Sequence, residues 1–126
     1  MEQLAVLMPE EKAGLDADRL AALYARLGAV EGENVLCRAM EELAYRLGHI
    51  DRTHSIGDFD EMLKCTKALG AIADQIGMAA VNRIATDVML CIQDGDPVAL
   101  AATVSRLARM GERSLYAIWD LQDLSV

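Results

Sequence analysis

Between Asp58 and Gly77 the apolar residues recur at spacings of three and four, and that period commits the stretch to a helix. Phe59, Met62, Thr66, Leu69, Ala73 and Ile76 fall on one stripe, which Cys65 and Ile72 widen. Asp60, Lys64, Lys67, Ala71 and Asp74 fall on the opposite stripe. The predicted helix therefore has a core-facing side and a charged outer side. Gly70 and Ala71 sit on or beside the outer side. A glycine inside a helix costs about 1 kcal/mol relative to alanine, and small residues let another surface approach the backbone closely. Simple tolerance and a close-approach patch are the two readings of Gly70 at this point.

The flanking segments read the same way. Asp16 is a good N-cap for a short helix whose buried stripe is Leu20, Leu23, Tyr24 and Leu27, and Gly28 stops it. A second helix is predicted from about Glu31 to Asp51, with Leu36, Met40, Leu43, Leu47 and Ile50 as its seam. Arg52 to Gly57 reads as a connection, and Asp58 with Glu61 resembles a capping box. A fourth helix is predicted from Met78 to about Gln93, with Val81, Ile84, Ala85, Val88 and Ile92 inward. Asp94-Gly95-Asp96-Pro97 is the sharpest punctuation: a glycine stop, an aspartate cap and a proline at the first helical position. The fifth helix runs from Pro97 to about Leu124, with Leu100, Val104, Leu107, Gly111, Ser114, Ile118 and Leu121 inward and Arg106, Arg109 and Arg113 outward. Four long helices with short joints imply an all-α, up-down antiparallel four-helix bundle with a short extra N-terminal helix. Residues 1–14 form an arm on this reading and residues 15–126 the bundle domain. The Leu4–Met8 run is either a short extended segment or an arm that packs on the bundle or on a second subunit.

A chain of 126 residues is one domain, enough to bury roughly two-thirds of its unfolded surface. Its formal net charge of −8 disfavours nucleic-acid phosphates and anionic membranes as partners. No stretch approaches the roughly 20 apolar residues of a membrane-spanning helix. An acidic second residue and a short apolar run ended by Pro9 do not make a secretory signal, so a cytoplasmic chain is expected. Cys37, Cys65 and Cys91 lack close spacing and sit in apolar patterns, so they read as buried free thiols rather than a disulfide or metal set. Phosphate-loop, HExxH, di-iron and nucleophile-elbow signatures are missing, so no catalytic residue, metal or cofactor is expected. His49 reads as a solvated residue near the end of a helix, His54 as a loop residue, and Tyr116 and Trp119 as packing residues.

The order LDADRLAALYARLG, NVLCRAMEELAYRLG, DFDEMLKCTKALGAIADQIG and MAAVNRIATDVMLCIQDGDPVALAATVSRLARM resembles the histidine-containing phosphotransfer (HPt) domains of bacterial phosphorelays. The likeness runs from Leu15 to about Leu115 and rests on helix order, the Leu-Gly and Gly-Asp turns and the small residues of the third helix. The family's third helix carries a motif close to H-x-x-K-G, its acceptor histidine ten residues before the glycine that ends the helix. Counting back from Gly77 gives Lys67, while the motif's lysine and glycine fall on Gly70 and Ala71. A neutral imidazole attacks an aspartyl phosphate, whereas an amine of ordinary pKa, about 10.4, is protonated and not nucleophilic near neutral pH.

The resemblance thus implies a non-catalytic HPt-like module that keeps a docking face for a receiver domain or histidine kinase and does not relay phosphate. Its contact patch would be Lys67 with Lys64, Gly70, Ala71 and Asp74. On physical grounds alone, Lys64 and Lys67 read as solvated charges. A second expectation is a self-associating structural bundle, a homodimer buried through Leu4–Met8 or through the Trp119–Leu124 end. A third is an enzyme or true relay acting through His49 or His54.

Overall fold

The computed structural model describes residues 14–124, so the arm expected over residues 1–14 lies, except for Gly14, outside the described residues. Five helices follow in order: α1 (Ala17–Leu27), α2 (Ala29–Ile56), α3 (Phe59–Gln75), α4 (Ala79–Asp94) and α5 (Pro97–Leu124). Three aspartates set the starts of α1, α3 and α5. Asp16 accepts a hydrogen bond from the Arg19 amide, Asp58 from the Glu61 amide, and Asp96 from the amides of Val98 and Ala99. Left-handed glycines at Gly57 and Gly95 close α2 and α4.

The described residues form an all-helical bundle. α2 packs on α3, α3 on α4, α4 on α5, and α5 returns to α2, while α1 lies against α2. The interior is filled by the residues that the spacing of three and four selects, with Leu36, Leu43, Ile50, Met62, Leu69, Val81, Val88, Leu107 and Ile118 all essentially solvent-free. No described helix is long and apolar enough to cross a membrane.

The segment before α1 is tied to the α3–α4 turn. The Asp16 amide donates to the Gly77 carbonyl at 2.6 Å, and the Ala80 amide donates to the Gly14 carbonyl at 3.0 Å. Leu15 and Met78, bridged across this pairing, are both buried. At the far end of α1, the Tyr24 hydroxyl donates to Glu33 of α2 at 2.8 Å, and Glu33 also accepts from Gln122 of α5 at 2.9 Å. Burial and the Glu33 carboxylate push the Tyr24 phenol up to about 12. A phenol that ionises later in the folded state than in the unfolded chain supports the fold through its protonated form. That support is complete below about pH 10 and is lost as pH rises through about 12. Ultraviolet titration should show one phenol ionising near pH 12 that Tyr24→Phe removes; the same late transition in the variant would refute the assignment.

Several expectations need correction. α2 starts at Ala29 and runs to Ile56, so Arg52 to Ile56 is helix rather than connection, and His54 lies in its last turn. Thr53 extends the buried stripe of Ile50, and its hydroxyl donates to the carbonyls of His49 and Ile50. Phe59, at the first position of α3, is 48 % exposed rather than core. Cys65 is buried as expected, but Cys37 is exposed and Cys91 only half-buried, all three as free thiols. Tyr116 and Trp119 are each 59 % exposed, not packed inside.

Candidate functional site

The Asp58 cap fixes where α3 begins, and the apolar stripe then fixes its rotation. Met62, Thr66, Leu69 and Ala73 turn inward, with the Thr66 hydroxyl satisfied by the Met62 carbonyl at 2.7 Å. The opposite stripe is left in solvent: Asp60, Lys64, Lys67, Ala71 and Asp74 are all exposed. Lys67 stands at the middle of the helix. Among the described residues the ion pairs join Arg19 to Asp74, Arg38 to Glu31, Arg46 to Glu42 and His49 to Glu61, and neither lysine of α3 takes part.

Of the expected patch, the structure brings Lys64, Lys67, Ala71 and Asp74 together on one face. Gly70 does not belong to it. It is buried against α4, where a side-chain carbon would lie 3.2 Å from the Asn82 amide oxygen and 3.5 Å from the Ala85 methyl. The missing side chain serves close packing of α3 on α4. Asp74 is exposed but committed, because Arg19 of α1 donates to its carboxylate at 2.9 Å and to its carbonyl at 3.1 Å.

Two further groups border the face. The first is α1, which with α3 encloses a cleft of about 320 Å³ lined by Arg19, Ala22, Leu23, Arg26, Ala71, Asp74 and Gln75. Arg19 and Arg26 are seven residues apart, which places both on one side of α1. That spacing was readable in the sequence, but nothing in it pointed toward α3.

The second group lies on the α2 side. His49 is half-buried rather than free in solvent, with Nε2 3.3 Å from Glu61 and Nδ1 3.4 Å from the Arg52 guanidinium. The Tyr45 ring stacks on the imidazole at 6.0 Å, and Arg52 lies over that tyrosine. A guanidinium can only donate, so in the neutral imidazole Nδ1 faces Arg52 as acceptor and Nε2–H faces Glu61, while the protonated ring would form an ion pair with Glu61. Both ring nitrogens are therefore engaged. Below this cluster the Cys65 thiol donates to the Arg46 carbonyl at 3.6 Å, and burial pushes the thiol up, away from thiolate reactivity.

The face thus presents Lys64, Lys67 and Ala71 to solvent, flanked by the carboxylates of Asp60 and Asp74. Comparison of the chain with protein-family models, with curated proteins and with solved structures returned no match.

Proposed function

We propose that the chain is a non-catalytic, HPt-like signalling module of the cytoplasm. On this reading the ring of α2 to α5 is an up-down antiparallel four-helix bundle with α1 laid across one end. It binds a receiver domain or a sensor histidine kinase through the outer face of α3 and relays no phosphate. The observation that carries the reading is Lys67: exposed, central on α3 and without an ion pair among the described residues. A receiver's phosphorylation pocket is acidic, so an ammonium offered at the middle of a convex helix suits it. The same ammonium has no free electron pair with which to attack an aspartyl phosphate.

The test is titration of the isotopically labelled chain with receiver domains from the genome that encodes it. Amide shifts centred on Lys64, Lys67 and Ala71 are expected. Shifts confined to other faces, or none with any receiver, would refute docking. Incubation with phosphorylated receiver should leave the chain unlabelled; acid-labile label on His49 or His54 would refute the absence of relay.

A second reading, self-association, is favoured by one observation. Trp119 stands 59 % exposed beside a largely apolar groove between α2 and α5, lined also by Cys37, Met40, Glu41, Ala44, Leu115 and Gln122. Exposed aromatic surface beside an apolar groove is typical of contact sites. On this reading sedimentation at high concentration gives the mass of a dimer, and Trp119→Ser returns it to monomer. A chain that is monomeric at every concentration removes this reading and leaves the first untouched.

A further inference from the structure

We propose that the cleft between α1 and α3 is the second half of the docking surface and receives an acidic projection of the bound receiver domain. This rests on the reading of α3 as the docking face and extends it to a helix that the sequence did not assign to the site. Three observations point the same way.

The first is shape. The cleft holds about 320 Å³, room for one or two side chains of a partner, and its open side is bordered by small residues, Ala22 of α1 and Ala71 of α3. Both are exposed, so neither is spent on the core. Ala71 lies one helical turn from Lys67, so the cleft opens directly beside the centre of the proposed contact.

The second is charge. The cleft is lined by two guanidiniums and one carboxylate. Asp74 is matched to Arg19 at 2.9 Å, which fixes that pair as part of the wall. Arg26 has no ion pair among the described residues, and neither have Lys64 and Lys67. One unpaired cation, Arg26, thus lines the cleft and a second, Lys67, stands one turn from Ala71 at its border, in a chain whose net charge is −8. A surface of that sign selects a carboxylate-bearing partner, steers its approach and rejects basic ones.

The third is rigidity. α1 is short, yet it is held by the Asp16 to Gly77 hydrogen bond at one end and the Tyr24 to Glu33 hydrogen bond at the other. Arg19 adds a direct clamp onto α3. These contacts hold both ends of α1 and its Arg19 side chain in place beside α3, which lowers the ordering cost of binding.

Two substitutions isolate the cleft from the α3 lysines. Ala22→Trp fills it from an exposed position on α1, and Arg26→Glu reverses its uncompensated charge. Binding of the receiver identified by titration should weaken about tenfold for the first and about fivefold for the second, with a shallower salt dependence for Arg26→Glu. Arg106→Glu, on the outer face of α5, changes net charge equally and should leave affinity within about twofold. Circular dichroism of each variant checks that the fold is retained. If Lys67→Glu abolishes binding while Ala22→Trp and Arg26→Glu bind like the parent, the cleft is refuted and the α3 reading stands. If Lys67→Glu also binds like the parent, or no receiver binds at all, the α3 reading fails and the cleft proposal fails with it.

Discussion

Gly77→Ala should lower the unfolding free energy by about 3 kcal/mol, far more than alanine at Gly57 or Gly95. Two effects add. Gly77 has φ +79°, where an alanine is strained, at a cost of about 1–2 kcal/mol. In addition, the new methyl would lie 2.7 Å from the Asp16 carbonyl oxygen, a backbone atom that moves only if the segment before α1 moves. That movement breaks the Asp16 to Gly77 hydrogen bond and uncovers Leu15 and Met78. Gly57 and Gly95 supply the control, since both have positive φ but nothing within 4 Å of an added methyl. Alanine there should cost about 1 kcal/mol, the conformational strain alone. Chemical denaturation gives the three values, and amide exchange should show early opening at Asp16 and Ala80 in Gly77→Ala only. Equal losses at all three glycines would refute the anchoring role.

The same residue marks where sequence reading stops. Gly77 is legible as a helix end, but its neighbours across the turn are set by a segment more than sixty positions earlier in the chain. Periodicity gives each helix its inward side, and Leu43, Leu69 and Leu107 are indeed buried where the spacing puts them. It gives rotation only to within about one residue, since neighbouring positions differ by about 100° around the axis. Gly70 shows the consequence. It borders the outer stripe on paper, but α4 covers it because Asn82 and Ala85 press against that flank. Helix ends failed for a related reason. Arg52 to Ile56 is polar enough to read as a joint, yet Thr53 and Ser55 return their hydroxyls to helix carbonyls, and the helix continues. The bulk of Trp119 suggests a packing residue, but Ser114 and Ile118 fill the core along that part of α5 and leave the indole 59 % exposed. The docking face is the mixed case: Lys64, Lys67 and Ala71 were legible as one stripe, but Arg19 and Arg26 belong to another helix, and only the packing of α1 brings them alongside.

Lys67→Glu should reduce affinity for the receiver by about 100-fold, the largest binding effect expected from any single exposed side chain of α3. The argument is electrostatic and positional. Lys67 is at the centre of the proposed contact, where water is excluded and a charge pair is less screened than at the rim. Removing the charge with Lys67→Ala leaves the partner's carboxylates unmatched; reversing it adds repulsion to that loss, so the two variants should rank in that order. Lys64→Glu, one turn toward the start of the helix and nearer Asp60, should act as a rim charge. Its expected loss is about fivefold, falling further as salt is raised. Neither lysine has a partner within the described fold, so the thermal midpoint should stay unchanged in all three variants. A loss of binding with unchanged stability therefore reports the contact itself. Equal effects at Lys64 and Lys67 would instead mean that only the overall field matters, and would displace the contact from the centre of α3.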